Sequence, residues 1–199
     1  MSKPDTKTQI LSAAIPLFAQ QGFNGVSMRD LAAAVELHAP ALYNHFRDKQ
    51  SLYLAAIGQA FADKRTAIAA ALQRSTDPQQ QLTDFVSCLC ELMCADSVFC
   101  RLIQRELLDG DEQRLQFLAQ QIFEPQFLAN MQLAQRLSPR CDAHMLALSM
   151  IGLISYHLDI GPLRRFLPGS KPEHETPAVI AKHVTQLILH GVQLPPVVE

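Results

Sequence analysis

A segment near the N-terminus, residues 38–46, combines hydrogen-bonding side chains with two apolar anchors. Leu42 and Phe46 are four residues apart, so a short helix would turn both toward a core and leave its polar side chains outside. Pro40 suits the first turn of such a helix, where the missing backbone N–H costs nothing. A helix this short fits into the major groove of DNA, where side chains reach the edges of the bases. The chemistry that this segment favours is therefore hydrogen-bonded recognition of nucleic acid.

The element that precedes this segment is a long amphipathic helix. It is expected to begin near Thr6, opened by a capping box over residues 6–9, and to end at Gly22. Pro16 lies inside the helical pattern, where it removes one backbone hydrogen bond and should produce a kink.

Two further helices would complete the structure that supports residues 38–46. A second capping box over residues 27–30 opens a short helix, and Asp48 can cap a long one over about residues 49–73. Two short helices joined by a tight turn and followed by a long helix have the layout of a helix-turn-helix. Helix ends with nearby hydroxyls and cations can also bind phosphates.

The rest of the chain also reads as helix, and no run shows sustained period-2 alternation. The pattern predicts an all-α fold, with a three-helix helix-turn-helix domain followed by a helical ligand-binding and dimerisation domain. The domain boundaries are expected at residues 1–50 and 51–199. Five later helices are expected. The first begins at Pro78, the second covers 98–109, and the third covers 113–137 with a kink or split at Pro125. The fourth covers 140–158 after a cap at Ser138, and the fifth follows Thr176 up to Gly191. Between the last two lies a loop, 159–175, with one turn expected at 163–167.

Composition excludes several classes of protein. The chain has 199 residues, 48% of them hydrophobic, which is enough for a folded domain with a sizeable core. Residues 1–8 are polar without an apolar stretch behind them, and residues 145–160 are too short and too polar to span a bilayer. These features predict a soluble, cytoplasmic protein.

Charge gives only weak support to nucleic-acid binding. The formal net charge of the whole chain is -2. Residues 1–65 hold seven basic and five acidic side chains, which leaves +2 there and -4 in the remainder. The asymmetry has the sign expected of a DNA reader at the N-terminus.

Five cysteines, Cys88, Cys90, Cys94, Cys100 and Cys141, are the other residues with reactive potential. Their odd number in a cytosolic chain argues against a disulfide framework, and no CxxC or zinc-finger spacing occurs. We expect them to be small buried hydrophobes. Redox sensing or metal binding through Cys90 and Cys94, four residues apart, stays an alternative.

The N-terminal motifs resemble a known family. The runs 10–14, 17–18, 22–23 and 26–32, followed by Leu-Tyr-Asn-His-Phe-Arg-Asp-Lys-Gln-Ser-Leu at 42–52, are similar to the TetR/AcrR family of bacterial transcriptional regulators. This resemblance covers about residues 6–55. The chain departs from the family pattern in three places: Glu36 stands where the turn usually has Gly, His38 where a Ser or Thr usually opens the recognition helix, and Ala39 where a small polar or basic residue often follows.

The resemblance implies roles for individual residues. Tyr43 would contact a phosphate or base, the alternative being a ring buried in the core. His45 and Lys49 would contact phosphates, and plain surface groups are the alternatives. Base-facing positions would be His38, Ala39 and Asn44, since Asn can pair bidentately with adenine. Two residues of the second helix complete the predicted DNA-binding set: Ser27, which would cap its helix and touch phosphate, and Arg29.

The resemblance also implies a homodimer whose last two long helices form a four-helix interface. The sequence agrees, because residues 140–158 are apolar on nearly every side. The middle helices would enclose a small effector, apolar or aromatic, and ordinary core packing is the alternative for each candidate. The candidate pocket residues are Met93, Phe99, Arg101, Glu106, Phe123, Phe127, His144, Tyr156 and His157. His144 and His157 could bind a metal, but no metal or other cofactor is expected.

These features predict a ligand-responsive regulator that binds a palindromic operator as a homodimer, with repression as the family's usual mode. Effector binding would tilt the long fourth helix and change the spacing of the two recognition helices. A protein of the same fold controlled by cysteine redox state or by a protein partner is the alternative. The chain has no HExxH, GxSxG, P-loop or GxGxxG, so an enzyme is not expected.

Overall fold

The computed structural model describes residues 5–191, and within them every regular element is a helix. The all-α prediction is therefore confirmed. The α-helices are α1 Thr6–Gly25, α2 Met28–Ala34, α3 Ala39–Tyr43, α4 Lys49–Gln73, α5 Pro78–Ala95, α6 Ser97–Asp109, α7 Glu112–Phe117, α8 Glu124–Leu137, α9 Ala143–Asp159, α10 Gly161–Arg164 and α11 Pro177–His190. Within these described residues, no helix is long and apolar enough to cross a membrane.

The helices form two compact units. The first contains residues 5–65 and 96–124, and the second contains 66–95 and 125–191. The long helix α4 has residues in both. These units divide the chain by compactness. The functional division at residue 50 stays a prediction.

The first unit packs α1 against α6 and α2, and α2 against α3. Its core holds Ile10, Phe18, Leu31, Leu42 and Tyr53, all almost completely buried. The spacing of Ile10, Ala14 and Phe18 turns one face of α1 inward, as its periodicity predicts. This core fixes the short recognition helix on a rigid base.

The ends and the middle of α1 differ from the expectation in two respects. Its N-cap is Asp5, whose carboxylate accepts from the Thr8 amide at 2.7 Å, so the capping box expected at Thr6 is wrong. Helical backbone runs through Pro16, and the break falls at Gly22, with φ 73° and ψ 176°. Glycine adopts this left-handed φ without steric cost, which explains why the direction changes there.

The helix expected over 113–137 is split before Pro125, as predicted. After α7 the chain makes a π-helical stretch, Leu118–Phe123, and then continues as α8. Proline cannot donate to the carbonyl four residues earlier and would collide with it, and a wider turn avoids that contact. Leu118 and Ile122 of this stretch are buried in the first unit.

The second unit packs α5, α9 and α11 against one another. Its core includes Leu82, Phe85, Met150, Ile154 and Val184. Helix α9 begins three residues later than expected, and its cap is Asp142, which accepts from the Met145 amide, and not Ser138. In the connection to α11, the turn expected at 163–167 is present, since the Phe166 amide donates to the Leu163 carbonyl and the Leu167 amide to the Arg164 carbonyl. It follows the short helix Gly161–Arg164 and precedes a 3-10 turn at Pro172–Glu175.

Candidate nucleic-acid interface

The recognition helix α3 is anchored by its apolar side and leaves its polar side open. Leu42 is fully buried and Phe46 is 5% exposed, whereas Tyr43 is 54% exposed. Asn44 and His45 are exposed as well. The alternative of a Tyr43 ring buried in the core is therefore wrong, because Leu42 and Phe46 fill that place.

The predicted DNA-binding residues all belong to the first unit. Ser27, Arg29 and His38 are exposed, and Ala39 and Lys49 are half-buried. Contact of any of them with DNA stays a prediction. The complete set is Ser27, Arg29, His38, Ala39, Tyr43, Asn44, His45 and Lys49.

The start of α2 is held by the capping box that its sequence predicts. The Ser27 amide donates to Asp30 Oδ2 at 2.8 Å, and the Asp30 amide donates to Ser27 Oγ at 3.2 Å. The Ser27 hydroxyl also donates to Asp30 Oδ2 at 2.6 Å. These hydrogen bonds lower the pKa of Asp30. The Ser27 hydroxyl is thus used in capping, and it can donate to a phosphate only if it gives up its hydrogen bond to Asp30.

The turn between α2 and α3 contains backbone strain. Glu36 has φ 55°, the one positive φ of a non-glycine residue in the described part of the chain. The Leu37 amide donates to the Ala32 carbonyl and the Glu36 amide to the Ala33 carbonyl. This pair of bonds is a Schellman motif, which needs a left-handed residue at the Glu36 position. The turn therefore keeps the geometry of the family's glycine at the steric cost of a side chain.

Lys49 ties the start of α4 to the corner between α1 and α2. Its Nζ donates to the carbonyls of Phe23 at 2.9 Å and Val26 at 3.0 Å. The ammonium also lies 4.3 Å from the centroid of the Phe23 ring. Two of its three N–H donors are thus used inside the protein, and one remains for a phosphate.

A buried ion pair also adjoins Phe23. The group that we call the Phe23 corner consists of Phe23, Lys49, Tyr53, Glu106 and Arg114. Arg114 Nε lies 3.0 Å from Glu106 Oε1, with the two side chains 5% and 1% exposed. The Tyr53 hydroxyl donates to Glu106 Oε2 at 2.8 Å. Burial, followed by the Glu106 carboxylate, raises the pKa of Tyr53. The Arg114 guanidinium lies 4.3 Å from the Phe23 centroid, so cations approach this ring from two residues.

Helix α6 also binds the end of α1 through hydrogen bonds. Arg105 Nε donates to the carbonyl of Ala19 at 2.8 Å, and its Nη2 donates to that of Gln20 at 2.5 Å. These carbonyls lie just before the break at Gly22, where the helix can no longer satisfy them. A cation at this end of α1 also suits the helix dipole.

Sequence reasoning missed Arg105 and Arg114 and assigned Glu106 to the effector pocket. The structure places Glu106 in the Phe23 corner, with Arg114 and Tyr53 as its partners. An available signal was the position of Glu106 between apolar residues of an amphipathic helix, since a buried acid requires a buried base. The identity of that base depends on the folding of α7 back onto α6.

Comparison with known proteins places the N-terminal region in a family. Residues 10–56 match the model of the bacterial regulatory proteins of the tetR family. Residues 10–56 are therefore an N-terminal domain of the tetR-family type, and over this region the chain is similar to TetR-family regulators. The activator FasR of Mycolicibacterium smegmatis is 29% identical over 103 residues, which are 52% of this chain and 47% of FasR. The negative regulator IcaR of Staphylococcus aureus is 38% identical over 47 residues, 24% of this chain and 25% of IcaR. The matches thus span at most about half the length of these relatives.

The fold of this protein resembles solved structures over nearly the whole chain. FadR from Bacillus subtilis in complex with stearoyl-CoA has a TM-score of 0.78 at 14% identity, covering 94% of this chain and 99% of that one. At this identity the likeness shows the fold alone.

The candidate effector residues are divided between the units. In the first unit, Phe99 and Phe123 both contact the Phe61 ring, at centroid distances of 6.0 and 4.9 Å. Arg101 is exposed. The structure therefore brings Phe99 and Phe123 together and places Arg101 apart from a core.

In the second unit the candidates form two ring contacts. Phe127 lies 5.1 Å from His144, and His157 lies 5.4 Å from His183, both measured between ring centroids. Burial, then His183 and Arg164, lower the pKa of His157. Tyr156 is 65% exposed and Met93 is half-buried. Two grooves of about 270 and 390 Å³ in this unit involve none of these residues.

Three of the five cysteines have a thiol pKa above its ordinary value. Burial raises the pKa of Cys88 and Cys94 and brings that of Cys90 to about 12. A raised pKa reduces the thiolate fraction that reacts with oxidants or binds metals. The expectation that all five are buried is wrong for Cys94 and Cys141, which are exposed. Between residues 5 and 191, no three His, Cys, Asp or Glu side chains form a metal-binding group.

Proposed function

We propose that this protein is a transcriptional repressor that binds a palindromic operator as a homodimer and releases it when a small molecule with an apolar or aromatic part binds. The observation that carries the proposal is the recognition helix. Its apolar side is locked into the core by Leu42 and Phe46 while Tyr43, Asn44 and His45 face outward. A side chain that is exposed on a rigid helix can read bases without a cost in reordering the fold.

An exposed apolar stripe on α9 supports dimer formation. Met145, Leu148 and Tyr156 are 60%, 46% and 65% exposed and follow one side of the helix. Gly152 lies between them, and no atom lies within 4 Å of the position that a Cβ would take. Val179 of α11 is exposed too. Such a stripe is unfavourable in water, and a second copy of α9 and α11 would cover it.

The class of effector is suggested by a protein of the same fold. FadR from Bacillus subtilis was solved with stearoyl-CoA. The second unit of this chain has an apolar core with half-buried Met93, Phe127 and Leu146 at its margin. We therefore propose a fatty-acyl thioester as the first class to test.

The coupling that we propose runs through α4, because this helix begins beside the recognition helix and has residues in both compact units. Two recognition helices must lie about 34 Å apart to enter successive major grooves. An effector that shifts α4 would change this spacing, and coupling of this kind is typically about 1–3 kcal/mol.

DNA binding is tested by titrating labelled duplexes with the purified protein, using a duplex selected from a random library and a scrambled duplex of equal length. Asn44→Ala should weaken binding to the selected duplex by about 5- to 150-fold, the effect of losing one bidentate base contact. It should leave binding to the scrambled duplex unchanged. The matched control is Asn24→Ala, which replaces an exposed asparagine near the end of α1. Failure of the wild type to select any sequence would contradict the proposal.

Effector response is tested on the same complex. Decanoyl-CoA and stearoyl-CoA are added, with free coenzyme A as the control. Release by the acyl thioesters alone supports the effector class. If neither thioester changes operator affinity but a thiol-modifying reagent abolishes it, and Cys→Ser variants resist, the redox alternative replaces this part of the proposal.

A further inference from the structure

A second group of basic side chains lies at the far end of the recognition helix, outside the predicted DNA-binding set. Lys7, in the first turn of α1, places its Nζ 5.6 Å from the centroid of the Phe46 ring. Phe46 stands between His45, which is in that set, and Arg47. Two basic residues outside that set therefore lie next to Phe46, Lys7 by contact and Arg47 by sequence.

The cation of Arg47 is directed into solvent. Its side chain is 93% exposed, although it follows the buried Phe46 directly in sequence. Within the part of the chain that the structure describes, its ion pair runs from Nε to Asp48 Oδ2 at 3.2 Å. A pair this exposed contributes little, and the terminal amino groups of the guanidinium carry four further donors.

The two acids beside this group are held by helix ends. Asp5 accepts from the Thr8 amide at the start of α1, and Asp48 accepts from the Ser51 amide at the start of α4. Each carboxylate therefore faces the partial positive charge of a helix N-terminus. The charges of Lys7 and Arg47 are consequently less cancelled than a count of residues suggests.

Lys49 differs from Lys7 and Arg47 in what already binds it. Its ammonium is used by two backbone carbonyls and the Phe23 ring, so removing it disturbs the first unit itself. Among residues 5–191, Lys7 contacts the Phe46 ring near the limit of the cation–π range and interacts with the charge of Asp5. A substitution there changes charge with little change in packing.

From these contacts we propose that Lys7 and Arg47 bind DNA phosphates on the strand that flanks the recognition helix, and that they set affinity without reading sequence. This inference rests on the proposed DNA-binding function and adds two contacts to it. Phosphate contacts are independent of sequence and release counterions. Each of these side chains therefore contributes to the salt dependence of binding to any duplex.

The experiment measures the affinity of the full-length protein for the selected and scrambled duplexes between 50 and 300 mM KCl, on the order of the range where counterion release is resolved. Lys7→Gln and Arg47→Gln should each lower the slope of log K against log salt by about 1 per protomer bound. The loss of affinity should be equal for both duplexes. Asn44→Ala should instead affect the selected duplex alone.

Three further variants sharpen this test. Asp5→Asn keeps a capping side chain and removes a negative charge, so it should strengthen binding by about threefold at low salt. Lys7→Arg should bind like the wild type. Lys171→Gln, which removes an exposed lysine in the second unit, is the charge-matched control and should change nothing.

The outcomes separate the two proposals. If the wild type shows no salt-sensitive binding to either duplex, the proposed function fails. If the wild type binds and Lys7→Gln and Arg47→Gln keep its slope and affinity, the phosphate contacts are wrong while the function stands. A selective loss on the selected duplex would also overturn the inference, since it would assign base reading to these residues.

Discussion

The two compact units are built by different interactions. Both have apolar cores, but the first unit adds a buried ion pair, Glu106 with Arg114, at the Phe23 corner. In the second unit, two buried side-chain atoms, Arg164 Nε and Thr185 Oγ1, have no hydrogen-bond partner within residues 5–191. Its exposed face on α9 is apolar.

This difference bears on how each unit fixes the arrangement of its helices. Hydrogen bonds and ion pairs depend on direction, so they select one arrangement of the helices, whereas apolar packing tolerates alternatives of similar volume. The unit with the recognition helix is therefore fixed in direction by polar contacts. The second unit has polar links as well, such as those of Arg136 to Gln81 and to the Thr76 carbonyl, but among residues 5–191 it contains no buried ion pair. We propose that a second copy covers part of its exposed apolar area.

The largest effect should come from breaking the buried ion pair at one end. Arg114→Met leaves the Glu106 carboxylate buried without its cation, which should lower the free energy of unfolding by about 3–5 kcal/mol. The double variant Glu106→Leu/Arg114→Met should recover most of this loss, because the buried charge is gone. Urea unfolding measures both. A double variant as unstable as the single one would mean that packing, and not charge, is what Arg114 supplies.

The next effect concerns the apolar stripe of the second unit. Leu148→Glu combined with Tyr156→Glu should weaken self-association by at least about 100-fold, since like charges would face each other across a desolvated interface. Sedimentation equilibrium measures the mass against concentration. Leu108→Glu, at an 86% exposed leucine of α6, is the control in the first unit. Equal association of all three proteins would remove α9 from the dimer proposal.

A smaller effect is expected where the Phe23 corner meets the interface. Lys49→Met should lower the free energy of unfolding by about 1–2 kcal/mol, because it loses two charge-assisted hydrogen bonds and a cation–π contact. Lys49→Gln keeps a donor and should lose less stability. Thermal unfolding and DNA binding are measured together. Lost DNA binding with unchanged stability would assign Lys49 to phosphate alone.

The smallest effect should be a gain in stability. Glu36→Gly relieves the positive φ of the turn between α2 and α3, which should stabilise the fold by about 1 kcal/mol. The Schellman hydrogen bonds are kept, since they use only the backbone. Chemical unfolding checks the change. A loss of stability would show that the Glu36 side chain makes a favourable interaction that outweighs its strain.

Local signals predicted the helices well and their caps less well. The capping box at Ser27 and the split before Pro125 depend on neighbouring residues alone, and both were predictable. The caps at Asp5 and Asp142 were missed because Thr6 and Ser138 lie close by and suit the same role. Among adjacent cap-forming residues, tertiary packing decides where a helix begins.

The candidate site residues likewise divide into those that local spacing predicted and those that depend on packing. Exposure of Tyr43 followed from the four-residue spacing of Leu42 and Phe46, which is a property of the helix itself. The partner of Glu106 lies eight residues away, across the turn between α6 and α7, and spacing gives no indication of it. The pocket predicted from aromatic and Met residues mixed side chains of both compact units, because composition does not say which helices pack together.

The sequence by itself determined the all-α class, the helix-turn-helix at the N-terminus and the face of α3 that points outward. Periodicity, capping and proline chemistry act over a few residues and can be read directly. Only the tertiary structure decided that Arg105, Arg114 and Lys49 converge on the end of α1, and that Gly22, not Pro16, redirects the chain there. Such contacts join residues up to 86 apart. They depend on which helices pack together, and that is settled by the shape of the whole core.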